Sequence, residues 1–244
     1  MKAFIFAAGL GTRLQPYTLN QPKALVPVNG KPMLEHLILK LNKFGIREIT
    51  INIHHFGDQI IDFLNHHDHF GCKINISDER EQLLDTGGGL KKALSFLNDG
   101  EDLLVHNVDI WSNYDLELLI NHHQKKDSLA TLVVEKRETS RYLLFSKDGN
   151  FLKGWINKNT GEKLPENIDI NQYDQFAFNG IHIVNQKVLK FFPSIDKFSI
   201  IPTYLELAQS QKIQALEIED AYWMDIGKPE QLAKAELFIN TSPL

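Results

Sequence analysis

An α/β fold, doubly wound around a mostly parallel mixed sheet of Rossmann-like type, is predicted by three features of the sequence. First, strand-like runs ("KAFIFAA", "EITINIH", "KINISDE", "DLLVHNVDI") alternate with segments of helical periodicity through the first half. Second, "KAFIFAA" is continuously apolar, as a strand covered by helices on both faces requires. Third, the resulting βαβαβαβ order implies parallel strands joined by right-handed crossovers.

The elements follow in order. The apolar run Ala3 to Ala8 is six residues long, short of a secretory h-region, and glycines and Arg13 follow it directly. It reads as a buried first strand. A loop punctuated by Pro16, Pro22 and Pro27 leads to the helix "PMLEHLILKLNKFG", with Pro32 in its first turn and Gly45 as its stop. "DQIIDFLNHH" is the second helix, and "TGGGLKKALSFL" (86–97) is a glycine turn opening the third. In the second half, "LATLVVEK" is strand-like, and "RYLLFSKDGNFLKGWI" predicts two strands joined at Asp148-Gly149. Residues 157–175 are polar and irregular, which predicts an insertion or lid-like loop. "FAFNGIHIVN" returns to strand, with helices expected around 186–192 and 199–210. "KIQALEI" and "AYWMDIG" are late strands, and "KPEQLAKAELFI" is a closing helix. No repeat or linker divides the chain, so one domain over residues 1–244 is expected.

Composition narrows the function. The chain is 43% hydrophobic and 23% charged, with a net charge of −5, the balance of an ordinary globular protein. A general nucleic-acid binder would carry a basic excess, so positive charge for phosphates must be local. The single cysteine, Cys72, has no internal disulfide partner and fits a reducing compartment. No run approaches the ~18 apolar residues of a membrane span, and a cytoplasmic location without membrane partner is expected.

The stretch "AAGLGTRLQPYTLNQPKALVPV" (7–28) concentrates the chemistry. It is not a dinucleotide fingerprint, because Gly9-Leu10-Gly11 is followed by Thr12, Arg13 and Leu14 with no third glycine. It is not a Walker loop, because Leu14 stands where the second glycine belongs and no Lys-Ser or Lys-Thr follows. What remains is G-L-G-T-R with Lys23 ten residues beyond Arg13. Glycines let backbone amides approach phosphate oxygens, Arg13 can fork onto a β- or γ-phosphate, and Lys23 can place a point charge near the α-phosphate. A tight turn with two solvated cations is the alternative.

The longer pattern "AAGLGTRLQPYTLNQPKALVPVNGKPMLEH" resembles the N-terminal signature of the sugar-1-phosphate nucleotidyltransferases at every fixed position. The resemblance continues in order through "LLDTGGGL", "HNVDI", "FNGIHI" and "WMDIGKP", and so covers most of the chain. It implies a doubly wound core in which residues 1–130 bind mainly the nucleotide and 131–244 mainly the sugar phosphate. The implied reaction joins a nucleoside triphosphate to a sugar 1-phosphate and releases pyrophosphate.

Several residues gain roles from this resemblance. Arg13, Lys23, Asp109 and Asp225 are the implied catalytic set, and Ala8, Gly9, Gly11, Thr12 and Arg13 the nucleotide loop. Asp109 and Asp225 each end an apolar strand, where the ligand crevice of an open α/β sheet lies, and carboxylates there suit Mg²⁺. Taken singly, each would read as a helix-cap or turn aspartate. The family uses the loop containing Gly87, Gly88 and Gly89 for the nucleoside, and Glu81, Gln82 and Asp85 precede it. Asn179-Gly180 inside a strand suggests close approach of a ligand, and the match implies the sugar phosphate. The paired histidines read as structural, with His54 at a strand end the one facing the expected crevice.

One departure stands out. Many members carry Glu-Lys-Pro after the hairpin, its lysine on the sugar phosphate, and that tripeptide is absent here. "VVEKRE" (133–138) precedes the hairpin and does not inherit the role. Lys158 is the expected replacement, with Lys153 and Arg141 the alternatives. The length and "ISDEREQLLDTGGGL" look most like the N-acetylmuramate-1-phosphate uridylyltransferase subgroup of peptidoglycan recycling. Short mannose- and heptose-1-phosphate guanylyltransferases are the alternative. A catalytically inactive nucleotide-sugar-binding subunit would be expected to lack one of the four catalytic residues. Both a monomer and a homodimer fit the sequence.

Overall fold

The computed structural model describes residues 1–94, 96, 100–218 and 221–241. β1 (Lys2–Phe6) runs into the glycine loop, which crosses two 3-10 turns at Thr12–Leu14 and Lys23–Leu25. A small hairpin, β2 (Pro27–Val28) and β3 (Lys31–Pro32), precedes α1 (Met33–Lys43). β4 (Glu48–Ile53), α2 (Gly57–His66), β5 (Lys73–Asp78), α3 (Asp85–Leu94) and β6 (Leu103–Asn107) complete the first half. The expected extension of α3 through Ser95 and Leu97 lies outside the described residues, as does the expected domain's end at 242–244.

The second half begins with β7 (Ile110–Ser112), α4 (Leu116–Lys126) and β8 (Ala130–Glu135). β9 (Arg141–Phe145), β10 (Leu152–Asn157) and β11 (Lys163–Leu164) form a meander before the long β12 (Asp174–Val184). α5 (Ile200–Leu207), β13 (Ile213–Glu217), β14 (Trp223–Asp225) and α6 (Pro229–Thr241) close the chain. The main sheet runs β11-β10-β9-β12-β6-β1-β4-β5, with β8 and then β13 branching from β12. β6, β1, β4 and β5 are mutually parallel, while β12 is antiparallel to β6, β8 and β9.

Strand alternation divides the core. Ala3 and Ile5 of β1 and Leu104 of β6 pack with α1, α2, α4 and α6 on one face. Phe4, Leu103 and Val105 pack with α3 and α5 on the other. Helices therefore cover both faces, the arrangement that the continuous apolar run of β1 predicts. Each large side chain buried this way contributes ~1.5–3 kcal/mol.

Three local expectations change, and the expected β9–β10 hairpin forms with another residue in the left-handed region. The run "DLLVHNVDI" is not one strand: β6 ends at Asn107, and Asp109 lies in the break before β7. α4 was not expected; only Leu116, Leu119 and His123 are buried along it, so its apolar stripe is thin. Asp115 caps it by accepting from the Glu117 amide. In the β9–β10 hairpin the left-handed residue is Asn150 (φ +55°), not Gly149. A Cβ at Gly149 would lie 2.4 Å from the Phe151 ring, so the glycine serves packing there. The polar stretch 157–175 is partly ordered, since β11 pairs with β10 and a 3-10 turn spans Ile170–Gln172. Among the described residues, no helix is long and apolar enough to cross a membrane.

Candidate active site

The loop after β1 forms one wall of a cavity of about 580 Å³. Ala8, Gly9, Gly11, Thr12 and Arg13 line it, together with Lys23 and Asp109. Gly11 has φ +66°, and a Cβ there would lie 2.9 Å from Thr18 Cγ2, so glycine is required twice over. The Thr18 hydroxyl and the Leu14 amide both donate to the Gly11 carbonyl, at 2.8 and 2.9 Å. Beneath the loop sits Asn52, 2% exposed in β4. Its Oδ1 accepts from the amides of Ala7 (2.6 Å) and Ala8 (3.1 Å), while its Nδ2 donates to Glu79 Oε1 (2.8 Å). The other oxygen of buried Glu79 accepts from the Leu84 amide at 3.0 Å. Asn52 and Glu79 thus tie the glycine loop to the loop before α3.

Two carboxylates meet at one edge of this cavity, Asp109 in its lining and Asp225 just outside it. Asp109 follows β6, and Asp225 ends β14, which pairs antiparallel with β7 so that Asp225 faces Ile110. The Ile226 amide donates to the Asp109 carbonyl at 2.8 Å, which fixes the two backbones together. Lys23, 8% exposed at the start of its 3-10 turn, forms an ion pair with Asp109 Oδ2. The Arg13 guanidinium stands 4.0 Å from Asp225 Oδ2, with its side chain 63% exposed toward the cavity. Burial, and then the neighbouring Asp109 charge, push the Asp225 carboxyl above the ordinary range, against the pull of Lys23, Arg13 and Arg137. Asp225 Oδ1 is buried without a hydrogen-bond partner. Gly227 leaves room for this arrangement, because a Cβ there would lie 2.6 Å from Asp225 Oδ1.

A second group of polar atoms lies beyond Asp225. The pairing of β12 with β8 breaks register between Phe178 and His182. Gly180 in that break has φ +74°, and a Cβ there would lie 2.7 Å from Asn107 Nδ2. Asn179 donates to the Tyr114 hydroxyl at 2.6 Å, and its carbonyl accepts from the Trp223 indole at 2.9 Å. The Arg137 guanidinium lies 4.1 Å from the centre of the Trp223 ring. Burial and the Glu135 charge act in opposite directions on Arg137, burial prevailing.

Other expected residues stand elsewhere. Gly87 and Gly88 lie in the first turn of α3 with both amides donating to the Phe198 carbonyl, at 2.8 and 3.2 Å. A Cβ at Gly88 would lie 1.9 Å from the Asp196 carbonyl oxygen, so these glycines admit the 196–198 segment. Leu83, Asp85 and Thr86 line the cavity in their stead, and Gln82 is exposed beside them. Lys158 lies over the Tyr142 ring, 4.4 Å from its centre. His54 does not line the cavity, whereas Asn52 and Lys197, which sequence reasoning passed over, do. Asn52 had a signal: the one amide in the strand-like run "EITINIH".

Similarity to known proteins identifies the family and the fold. A family model described as nucleotidyl transferase matches residues 2–242. The chain is 30% identical over 242 residues to N-acetylmuramate alpha-1-phosphate uridylyltransferase of Caulobacter vibrioides, covering 96% of this chain and 95% of that one. It is 32% identical over 240 residues to mannose-1-phosphate guanylyltransferase 1 of Arabidopsis thaliana, but spans only 62% of that relative's length. Among solved structures, HddC from Yersinia pseudotuberculosis complexed with GMP-PN superimposes with a TM-score of 0.75 at 25% identity, covering 98% of this chain and 99% of that one. UTP-bound UGPase from Acinetobacter baumannii shares the fold at 17% identity, with a TM-score of 0.79 over 99% of this chain and 94% of that one.

Proposed function

The chain belongs to the nucleotidyl transferase family, and we propose that it transfers a uridylyl group from UTP to N-acetylmuramate 1-phosphate, releasing pyrophosphate. One observation carries the reaction type. Arg13, Lys23, Asp109 and Asp225 converge between the glycine-loop cavity and the polar cluster around Asn179. The first half would then bind the nucleotide and the second the sugar phosphate. Near-complete mutual coverage with the Caulobacter uridylyltransferase favours the uridylyl reading. The GMP-PN bound to HddC favours guanylyl transfer as the second reading.

The chemistry follows from charge. A phosphate monoester has a second pKa near ~6, so the attacking oxygen is ionised at neutral pH and needs no general base. Catalysis reduces to aligning two anions and neutralising the charge that repels them. Lys23 would hold the α-phosphate, and the exposed Arg13 fork would hold the departing pyrophosphate. The donor set suits a hard divalent cation such as Mg²⁺: two carboxylates, one with a buried oxygen that has no partner. Among the described residues no cluster of three or more His, Cys, Asp or Glu gathers there, so phosphate and water oxygens would complete the shell. Such an ion, when bound by Asp109 and Asp225, neutralises phosphate oxygens.

The test is pyrophosphate release across a grid of five nucleoside triphosphates and several sugar 1-phosphates. The expected result is a maximum at UTP with N-acetylmuramate 1-phosphate. A maximum with GTP establishes the second reading, and no release from any pair overturns both.

A further inference from the structure

The Glu-Lys-Pro lysine is missing, yet the structure holds a different cation against the sugar side of the site. We propose that Arg137, stacked on Trp223, binds the phosphate of the sugar 1-phosphate. This rests on the nucleotidyl-transfer reading above.

The observations are geometric. Arg137 follows β8, and its guanidinium carbon lies over the Trp223 ring, 4.1 Å from the ring centre. Nη2 donates to the Phe178 carbonyl at 3.2 Å, immediately before the Asn179-Gly180 break. A guanidinium has five N–H donors, and this is the one hydrogen bond it makes among the described residues. Nε approaches Glu135 Oε2 only to 3.6 Å, and both atoms are buried without a hydrogen-bond partner. Asn179 Oδ1 and Asp225 Oδ1 are buried and unpartnered as well.

These four atoms share a neighbourhood. Trp223 touches Arg137 through its ring face and Asn179 through its indole N–H. Asp225, two residues on in β14, presents its side chain to the same side of that strand. Buried polar atoms without partners are costly, about 1–3 kcal/mol each, and so mark where a ligand completes the bonding. An anion with several acceptor oxygens matches the free donors of Arg137. Nearby oxygens of Glu135 and Asn179 would receive sugar hydroxyls or amides. Lys158 is less suited, since its ammonium already lies over the Tyr142 ring, 4.4 Å from the centre.

Indole stacking positions the guanidinium without using its donors, and only arginine combines a planar face with a fork. Arg137→Lys should therefore fail as a substitute even though charge is kept.

The experiment separates KM for the two substrates, using the pair that the wild type turns over best. Arg137→Gln is expected to raise KM for the sugar 1-phosphate by ~10- to 100-fold while KM for the triphosphate stays within ~2-fold. Arg137→Lys should recover less than a third of that loss. Inorganic phosphate, as a competitor of the sugar 1-phosphate, should lose inhibition by a similar factor in Arg137→Gln. An unchanged phosphate Ki with a raised sugar KM places the contact on another part of the sugar, such as a carboxylate, and overturns the assignment. So does an unchanged sugar KM in Arg137→Gln, or a larger rise in Lys158→Gln than in Arg137→Gln. If Arg137→Gln does not fold, Arg137→Lys with the same two readouts decides. Absence of turnover by the wild type with every pair defeats the parent reading instead, which the wild-type grid shows before any variant is made.

Discussion

The carbonyl of Asp109 accepts a 2.8 Å hydrogen bond from the amide of Ile226, and this bond brings the end of β14 against the break that follows β6. The two acidic side chains of the site are thereby set by backbone geometry rather than by their own attraction. Their charges oppose each other, and burial opposes that of Asp225 further.

Asp225→Asn is accordingly expected to raise the melting temperature of the ligand-free protein while lowering kcat by about 10³-fold, roughly 4 kcal/mol. The fold raises the carboxyl pKa of Asp225, so a neutral isostere relieves a charge that the folded state disfavours. Calorimetry and pyrophosphate release on the same preparation check both signs. A lower melting temperature would contradict the origin assigned to that strain.

Arg13→Lys keeps the charge and loses the fork. With 63% of the side chain exposed, stability should be unchanged, and kcat should fall by about 10- to 100-fold. Equal rates for arginine and lysine would show that Arg13 acts only as a distant charge.

Asn52→Leu strands the amides of Ala7 and Ala8 and one oxygen of Glu79 in a buried setting. A loss of about 3 kcal/mol is expected, or ~6–12 °C in melting temperature for a chain of this size. KM for the triphosphate should rise with it. A stable variant with a normal KM would mean that the glycine loop holds its shape without Asn52.

His106 and His182 are wholly buried in β6 and β12, and burial pushes both imidazoles down to about 3. The unfolded chain binds their protons near pH ~6.5. Between these values the unfolded state carries more protons, so stability is full above about pH 6.5 and declines as pH falls toward about 3. The slope is ~1.4 kcal/mol per pH unit for each histidine. Urea unfolding at about pH 7.5 and about pH 5.5 should show ~2–3 kcal/mol lost from the pair. In His182→Leu that difference should shrink by about half, and an undiminished difference would assign the acid sensitivity to other groups.

Much of this was readable from the letters, for identifiable reasons. A continuous apolar run marked β1, because burial on both faces leaves no polar alternation, and strand-like runs marked β4 and β6. Arg13 and Lys23 were marked by type and spacing and Asp109 by its strand end and the family resemblance, and the structure brings all three to one cavity. α4 escaped notice because its buried stripe is thin, leaving little amphipathic contrast. The Gly87-Gly88 pair illustrates a deeper limit. A glycine admitted for a ligand and one admitted for a neighbouring backbone read alike until Asp196 and Phe198 are placed beside them. Arg137 was set aside with "VVEKRE" because that segment precedes the hairpin: its partner Trp223 is distant in sequence, and only the β7–β14 pairing brings that strand into the site.

The bond from Asn52 to the amides of Ala7 and Ala8 has a consequence for binding. Those residues surrender their backbone freedom when the chain folds, so the entropy of ordering the loop's first residues is charged to folding rather than to nucleotide capture. An arriving triphosphate meets a loop entrance that is already rigid. On the proposed function, more of its attraction to Arg13 and Lys23 would be left to appear as affinity.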